Sequence, residues 1–119
     1  MKPDRADTAL LIDIVNHARR IAEFIAGQTQ AAFSANAEKQ AAVAHHVMII
    51  GEVARRLSPG FKDAHSSIPW SNIANMRNRL IHDYGDVQLD VLWTVATERV
   101  PDLARYVDPL LPIRPPDAV

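Results

Sequence analysis

The chain has 119 residues, 48% hydrophobic and 23% charged, with a net charge of −1 and no cysteine. That is one domain's worth of chain, long enough for one real core. It excludes a disulfide framework, a thiolate metal site and a global basic field for nucleic acid. No apolar run is long enough to span a bilayer. The opening Met-Lys-Pro-Asp-Arg-Ala-Asp has no apolar stretch behind its basic residue, so no signal peptide is expected and the expected location is cytoplasmic.

Asp7-Thr8 is expected to cap a first helix reaching Ala26, before Gly27. Leu11, Ile14, Val15, Ala18, Ile21, Ala22 and Ile25 form its apolar stripe, the i, i+3, i+4, i+7 spacing of a helix with one buried face. His17, Arg19, Arg20 and Glu23 then face outward or sideways, with His17 a surface residue rather than a ligand. Gln28–Asn36 is polar and small, anchored by Phe33, and Ser34 or Asn36 starts the second helix. That helix is predicted to run to Leu57 with Val43, His46, Val47, Ile50, Val53, Ala54 and Leu57 on its stripe. Gly51 in its middle costs about 1 kcal/mol relative to Ala. Close approach of another helix, within the fold or across a dimer axis, would offset that cost. His45-His46 point about 100° apart on a helix and have no further cluster at ligand spacing, so no metal is expected.

Ser58-Pro59-Gly60 breaks the chain, and 61–67 is a loop or a short turn of helix. Arg55, Arg56 and Lys62 at this break read as solvated helix-end charge in preference to a basic edge. Ser67-Ile68-Pro69-Trp70 opens a third helix with Ile73, Met76, Leu80 and Ile81 buried. A fourth helix is expected from Leu89 to Arg99, burying Leu89, Leu92, Trp93 and Ala96, with Trp93 in the core or a dimer interface. Pro101 breaks or kinks it and begins a fifth, Asp102–Leu111, with Leu103, Tyr106, Val107 and Leu110. No strand pattern competes. The expectation is all-α, a four- to five-helix bundle over residues 1–111 with a Pro-rich tail at 112–119.

The chemistry concentrates in Met76–Gly85, Met-Arg-Asn-Arg-Leu-Ile-His-Asp-Tyr-Gly. Arg77, His82 and Tyr84 give Arg-x-x-x-x-His-x-Tyr. A guanidinium holds phosphate through paired donors, and an imidazole carries a proton near neutral pH. Together they suffice to cut a phosphodiester without metal or cofactor. With 10 Arg and 5 His among 119 residues, chance Arg-x-x-x-x-His pairs number ~0.4, and the added Tyr lowers this to ~0.007. The competing structural reading puts Arg77 and Arg79 on a solvated face, His82 in a last turn and Tyr84 in the core. On a regular helix Arg77 and His82 lie about 140° apart and converge on one phosphate only through the long Arg side chain, or if the helix tightens near its end. Asn78, one turn before His82, is placed to orient it.

Arg-Asn-Arg-Leu-Ile-His-Asp-Tyr resembles the signature of the HEPN (higher eukaryotes and prokaryotes nucleotide-binding) superfamily, and within it the HepT-like toxins encoded beside a minimal nucleotidyltransferase antitoxin. Three more stretches fit in order and spacing: Ile49–Ser58, Ile68-Pro69-Trp70 and Asp90-Val91-Leu92-Trp93. The resemblance covers most of Thr8–Leu111. It implies an all-α homodimer and a metal-independent endoribonuclease toxin acting on RNA through Arg77 and His82. It also implies a nucleotidyltransferase antitoxin partner that transfers AMP to Tyr84. The alternative is a non-catalytic dimeric helical binding partner of a nucleotidyltransferase.

Overall fold

The structure, a computed structural model, describes residues 3–80 and 88–112. Helix α1 (Arg5–Ile25) starts earlier than Asp7-Thr8 suggests, because Asp4 is the cap: its carboxylate accepts the Asp7 N–H at 2.7 Å. Asp7 lies within the first turn and is only 4% exposed. Its two carboxylate oxygens accept the Ser58 N–H (2.9 Å) and the Ser58 hydroxyl (2.6 Å). Gly27, at φ +73°, turns the chain after α1. Its positive φ is costly for residues with a Cβ.

The stretch after Gly27 holds a short helix, α2 (Gln30–Ser34), capped by the Thr29 hydroxyl and anchored by fully buried Phe33. Five residues show too little periodicity to be read from sequence. Asn36 caps α3 (Ala37–Arg55) by accepting the Lys39 N–H at 3.0 Å. The pairs Asp7–Ser58, His17–His46 and Phe24–Lys39 make α1 and α3 antiparallel neighbours. The buried positions of α3 (Val43, Ala44, Val47, Ile50, Gly51, Val53 and Ala54) span roughly half its circumference. It therefore packs on α1 from one side and on the later helices from the other.

Ser58 caps α4 (Pro59–Ala64), donating its hydroxyl to Asp7 while accepting the Phe61 N–H. Of the two expectations for this stretch, a loop or a short turn of helix, the structure shows the short helix, seating Phe61 in the core. The Trp70 indole N–H then donates to the His65 carbonyl at 3.0 Å.

The expected third helix is two pieces, α5 (Trp70–Ala74) and α6 (Met76–Leu80). The break at Asn75 has a visible cause. In a regular helix the Asn78 N–H would donate to the Ala74 carbonyl. It donates instead to Asn75 at 3.0 Å, and Arg55 of α3 donates to the Ala74 carbonyl at 2.9 Å.

Pro101 does not separate two helices. Helix α7 (Leu89–Thr94) continues through a π-helical turn, Val95–Arg99, into α8 (Val100–Val107). The Val100 N–H donates to Val95, five residues back, and the Thr97 hydroxyl takes up the Trp93 carbonyl at 2.7 Å. Widening the turn just before the proline lets the helix accept a residue with no N–H and a bulky ring. A single 3₁₀ turn, Asp108–Leu110, ends the described chain's helical run. Trp93 is half-buried against Phe33, ring centres 5.3 Å apart, and packs on the core, the first of the two places expected for it. Among the described residues there is no strand, and the all-α expectation holds.

Candidate functional site

Helix α6 is short, so tertiary packing must position it. Met76 and Leu80 are both buried and fasten it to the core. At about 100° per residue, Arg77 and Arg79 emerge on opposite flanks of that buried edge and Asn78 points away from it. All three are exposed.

The preceding helix α5, one residue before α6, is held closely against α3. A Cβ on Gly51 would meet the Ile73 carbonyl oxygen at 2.8 Å, closer than a side chain can sit. So Gly51 answers a close approach within the fold, the first of the two reasons expected for it. One turn on, Arg55 holds the Ala74 carbonyl. It also lies 3.7 Å from Glu52, an exposed pair that contributes little. Arg55 thus has a structural task, more than the solvated charge expected of it. At the other end of α6 the Gln88 N–H donates to the Leu80 carbonyl at 2.9 Å, joining α6 to the start of α7. His82 and Tyr84 lie outside the described residues, as does Ile81. Of the predicted site residues, the structure therefore places Arg77 and Asn78, both solvent-facing on α6.

Arg79 faces a cleft of about 770 Å³ between α5–α6 and α7–α8, with Val47 and Ile50 of α3 among its lining residues. Its walls are largely apolar, including Ile68, Ile73, Met76 and Val91, with Arg99 and Asn72 also contributing. The cleft and the placement of Arg79 and Arg99 in it were not legible in the sequence. The two arginines lie 20 residues apart in the chain, and the walls come from segments still farther apart.

A second cluster lies between α1 and α3. The Nδ1 atoms of His17 and His46 are 2.8 Å apart, a hydrogen bond sharing one proton. His17 is half-buried, a correction to its expected place on the surface. The clue was His46 on the stripe of α3 that faces α1. Burial lowers the His46 pKa, with His17, His45 and Arg20 adding to the effect. Burial likewise lowers that of His17, opposed by Asp13 and reinforced by His45 and Arg20. Among the described residues no group of three or more His or acidic side chains is placed to hold a metal. No helix among them is long and apolar enough to cross a membrane.

An all-helical domain presenting Arg-Asn-Arg on a short helix locked against its central helix has the architecture of the HEPN class. The chain belongs to the Ribonuclease HepT-like family, whose model matches residues 14–110. The chain is 35% identical over 99 residues to the Probable ribonuclease HepT of Thermococcus cleftensis, covering 83% of this chain and 90% of that protein. Two proteins of Methanocaldococcus jannaschii, provisionally named as RNases, are also similar. For MJ1380 the identity is 31% over 100 residues, covering 84% of this chain and 92% of that protein. For MJ0127 it is 26% over 109 residues, covering 92% and 90%. No solved structure matches the chain.

Proposed function

We propose that the protein is a metal-independent endoribonuclease toxin of a type II toxin–antitoxin pair, with Arg77 and His82 as its catalytic residues. Membership of a ribonuclease family supports the activity. The observation that carries the assignment to this segment is Arg77, an exposed guanidinium on α6, which buried Met76 and Leu80 seat in the core one residue after α5, the helix that Gly51 and Arg55 hold against α3. A rigid helix end is a better platform for a phosphate contact than a mobile loop.

The RNA 2′-hydroxyl attacks the adjacent phosphorus. The bond to the 5′-oxygen breaks, leaving a 2′,3′-cyclic phosphate and a 5′-hydroxyl. His82 moves the proton, as base for the 2′-hydroxyl or acid for the leaving oxygen, a task for which an imidazole is the usual side chain near neutral pH. Arg77 holds the phosphate and stabilises charge developing on its oxygens. Asn78 orients His82. A C₂ homodimer supplies a second His82 to the same cleft, so that one imidazole acts as base and the other as acid.

In this reading a nucleotidyltransferase antitoxin silences the site by transferring AMP from ATP to Tyr84. The phenol oxygen bonds the α-phosphorus, pyrophosphate leaves, and the partner's base takes the phenol proton. The new negative charge then competes with substrate phosphate for Arg77.

The test is cleavage of mixed RNA in EDTA. Wild type cleaves, and Arg77→Ala and His82→Ala fold but do not. If both variants cleave like wild type, the catalytic site is elsewhere. Intact-mass analysis after co-expression with the adjacent nucleotidyltransferase reads the modification: AMP adducts that vanish in Tyr84→Phe support it, and an unmodified but neutralised toxin excludes it.

A further inference from the structure

We infer that the cleft between α5–α6 and α7–α8 is a subsite that takes one unpaired nucleobase of the RNA, with Arg79 and Arg99 holding the flanking phosphates. This deepens the ribonuclease reading and rests on it.

The placement of α6 is the first argument. Arg77 and Arg79 are two residues apart and leave opposite flanks of the helix, yet only Arg79 lines the cleft. A strand whose scissile phosphate sits at Arg77 reaches Arg79 and the cleft mouth by crossing α6. One short helix thus links the cutting position to the neighbouring nucleotide.

The cleft's own chemistry is the second argument. Its volume of about 770 Å³ lies within the range of pockets that hold small organic groups, about 300–1,000 Å³. Apolar walls from Ile68, Ile73, Met76 and Val91 suit the faces of a base. Tyr106 adds an aromatic ring, and a guanidinium plane also stacks on bases. Recognition of unpaired RNA typically combines such stacking with phosphate contacts at the edge.

Charge is the third argument. Arg79 stands on α6 and Arg99 on the π-helical turn, so guanidiniums reach the cleft from both sides. Among the described residues neither has an ion-pair partner, so each is available to a phosphate. Of the two carboxylates that line the cleft, Asp102 is engaged by Arg105. Asp90 is left, and a carboxylate accepts from the exocyclic amino group of a base. Two free cations at the edges and one acceptor match a nucleotide better than they match an apolar helix of a partner protein.

The experiment uses the full chain and a fluorescein-labelled 2′-O-methyl oligoribonucleotide, which binds but has no free 2′-hydroxyl to attack. Arg79→Gln and Arg99→Gln each weaken binding about 10-fold at low salt and lower the slope of log K against log salt by about one. On cleavable RNA they raise KM more than they lower kcat. Asn72→Trp, at an exposed position of the cleft wall, fills the cleft without disturbing the core and also weakens binding about 10-fold. Arg20→Gln, on the exposed face of α1, changes none of these. Thermal melts check that each variant is folded. Wild-type affinity in all three cleft variants, while wild-type RNA cleavage persists, overturns the subsite and leaves the ribonuclease reading intact. Dissociation of a wild-type dimer by Asn72→Trp, with RNA affinity unchanged in both arginine variants, assigns the cleft to a second copy and overturns the proposal. Wild type that neither binds nor cleaves RNA removes both readings together.

Discussion

Gly51→Ala tests whether the α3–α5 contact sets the position of the arginines. The new Cβ would lie 2.8 Å from the Ile73 carbonyl oxygen. An ordinary carbon–oxygen contact is about 3.4 Å, so α5 must retreat by roughly half an ångström. Ile73 is backbone in a helix whose next carbonyl is held by Arg55 at 2.9 Å, so neither side gives easily. Overpacking of this kind costs about 1–3 kcal/mol. Replacing a mid-helix glycine returns about 1 kcal/mol of helix propensity. The net expectation is a loss of about 0–2 kcal/mol, a fall in Tm of up to about 8 °C for a domain of this size. Activity should fall further than stability does. Helix α6 follows α5 after one residue, so the same shift moves Arg77 and Arg79. A 1 Å misplacement costs about 100-fold in a positioned site, so half of that costs about 10-fold in kcat/KM. The assays are a thermal melt and RNA cleavage well below the melting range. Gly60→Ala is the control, since a Cβ there meets nothing within 4 Å. A Gly51→Ala protein as stable and as active as wild type would refute the idea that this contact places the site.

Asp7→Ala should destabilise by about 2–4 kcal/mol in urea unfolding, because it strands the Ser58 N–H and hydroxyl that a 4%-exposed carboxylate now accepts. Ser58→Ala should cost less, about 1–2 kcal/mol, since it leaves the backbone N–H bond in place. Stability should also depend on pH through His17 and His46. Both pKa values are lowered in the folded protein, mainly by burial, so the unfolded chain binds more protons. The stabilisation is therefore complete above the unfolded value of ~6.5 and is lost as pH falls below it toward the lowered folded values. Melts from pH 7.5 to 5 should show a decline that His46→Gln flattens, and an unchanged slope in that variant would dismiss the pair as its source.

Sequence periodicity sufficed for the long elements. α1 and α3 carry apolar stripes of five or more residues, and Leu11, Ile14, Val15, Ala18 and Ile21 are buried as their spacing requires. Asn36 and Thr29 act through short-range capping, which is local chemistry; of the two starts expected for the second helix, Ser34 or Asn36, the cap is Asn36, and the Thr29 cap was not expected. The motif around Arg77 was legible for the same reason: its residues are neighbours in the chain. Three features needed the tertiary structure. The break at Asn75 arises because an arginine 19 residues away takes a carbonyl from the helix ladder. The helix runs through a π-helical turn to Pro101 without the break that a local rule allows, because a widened turn accommodates a residue with no N–H and a bulky ring. The pairing of His17 with His46, and the cleft that joins Arg79 to Arg99, exist only once helices distant in sequence are packed side by side. Local spacing determines which face of a helix is buried, but what that face meets is decided by packing, and the arginine-lined cleft is a product of that packing.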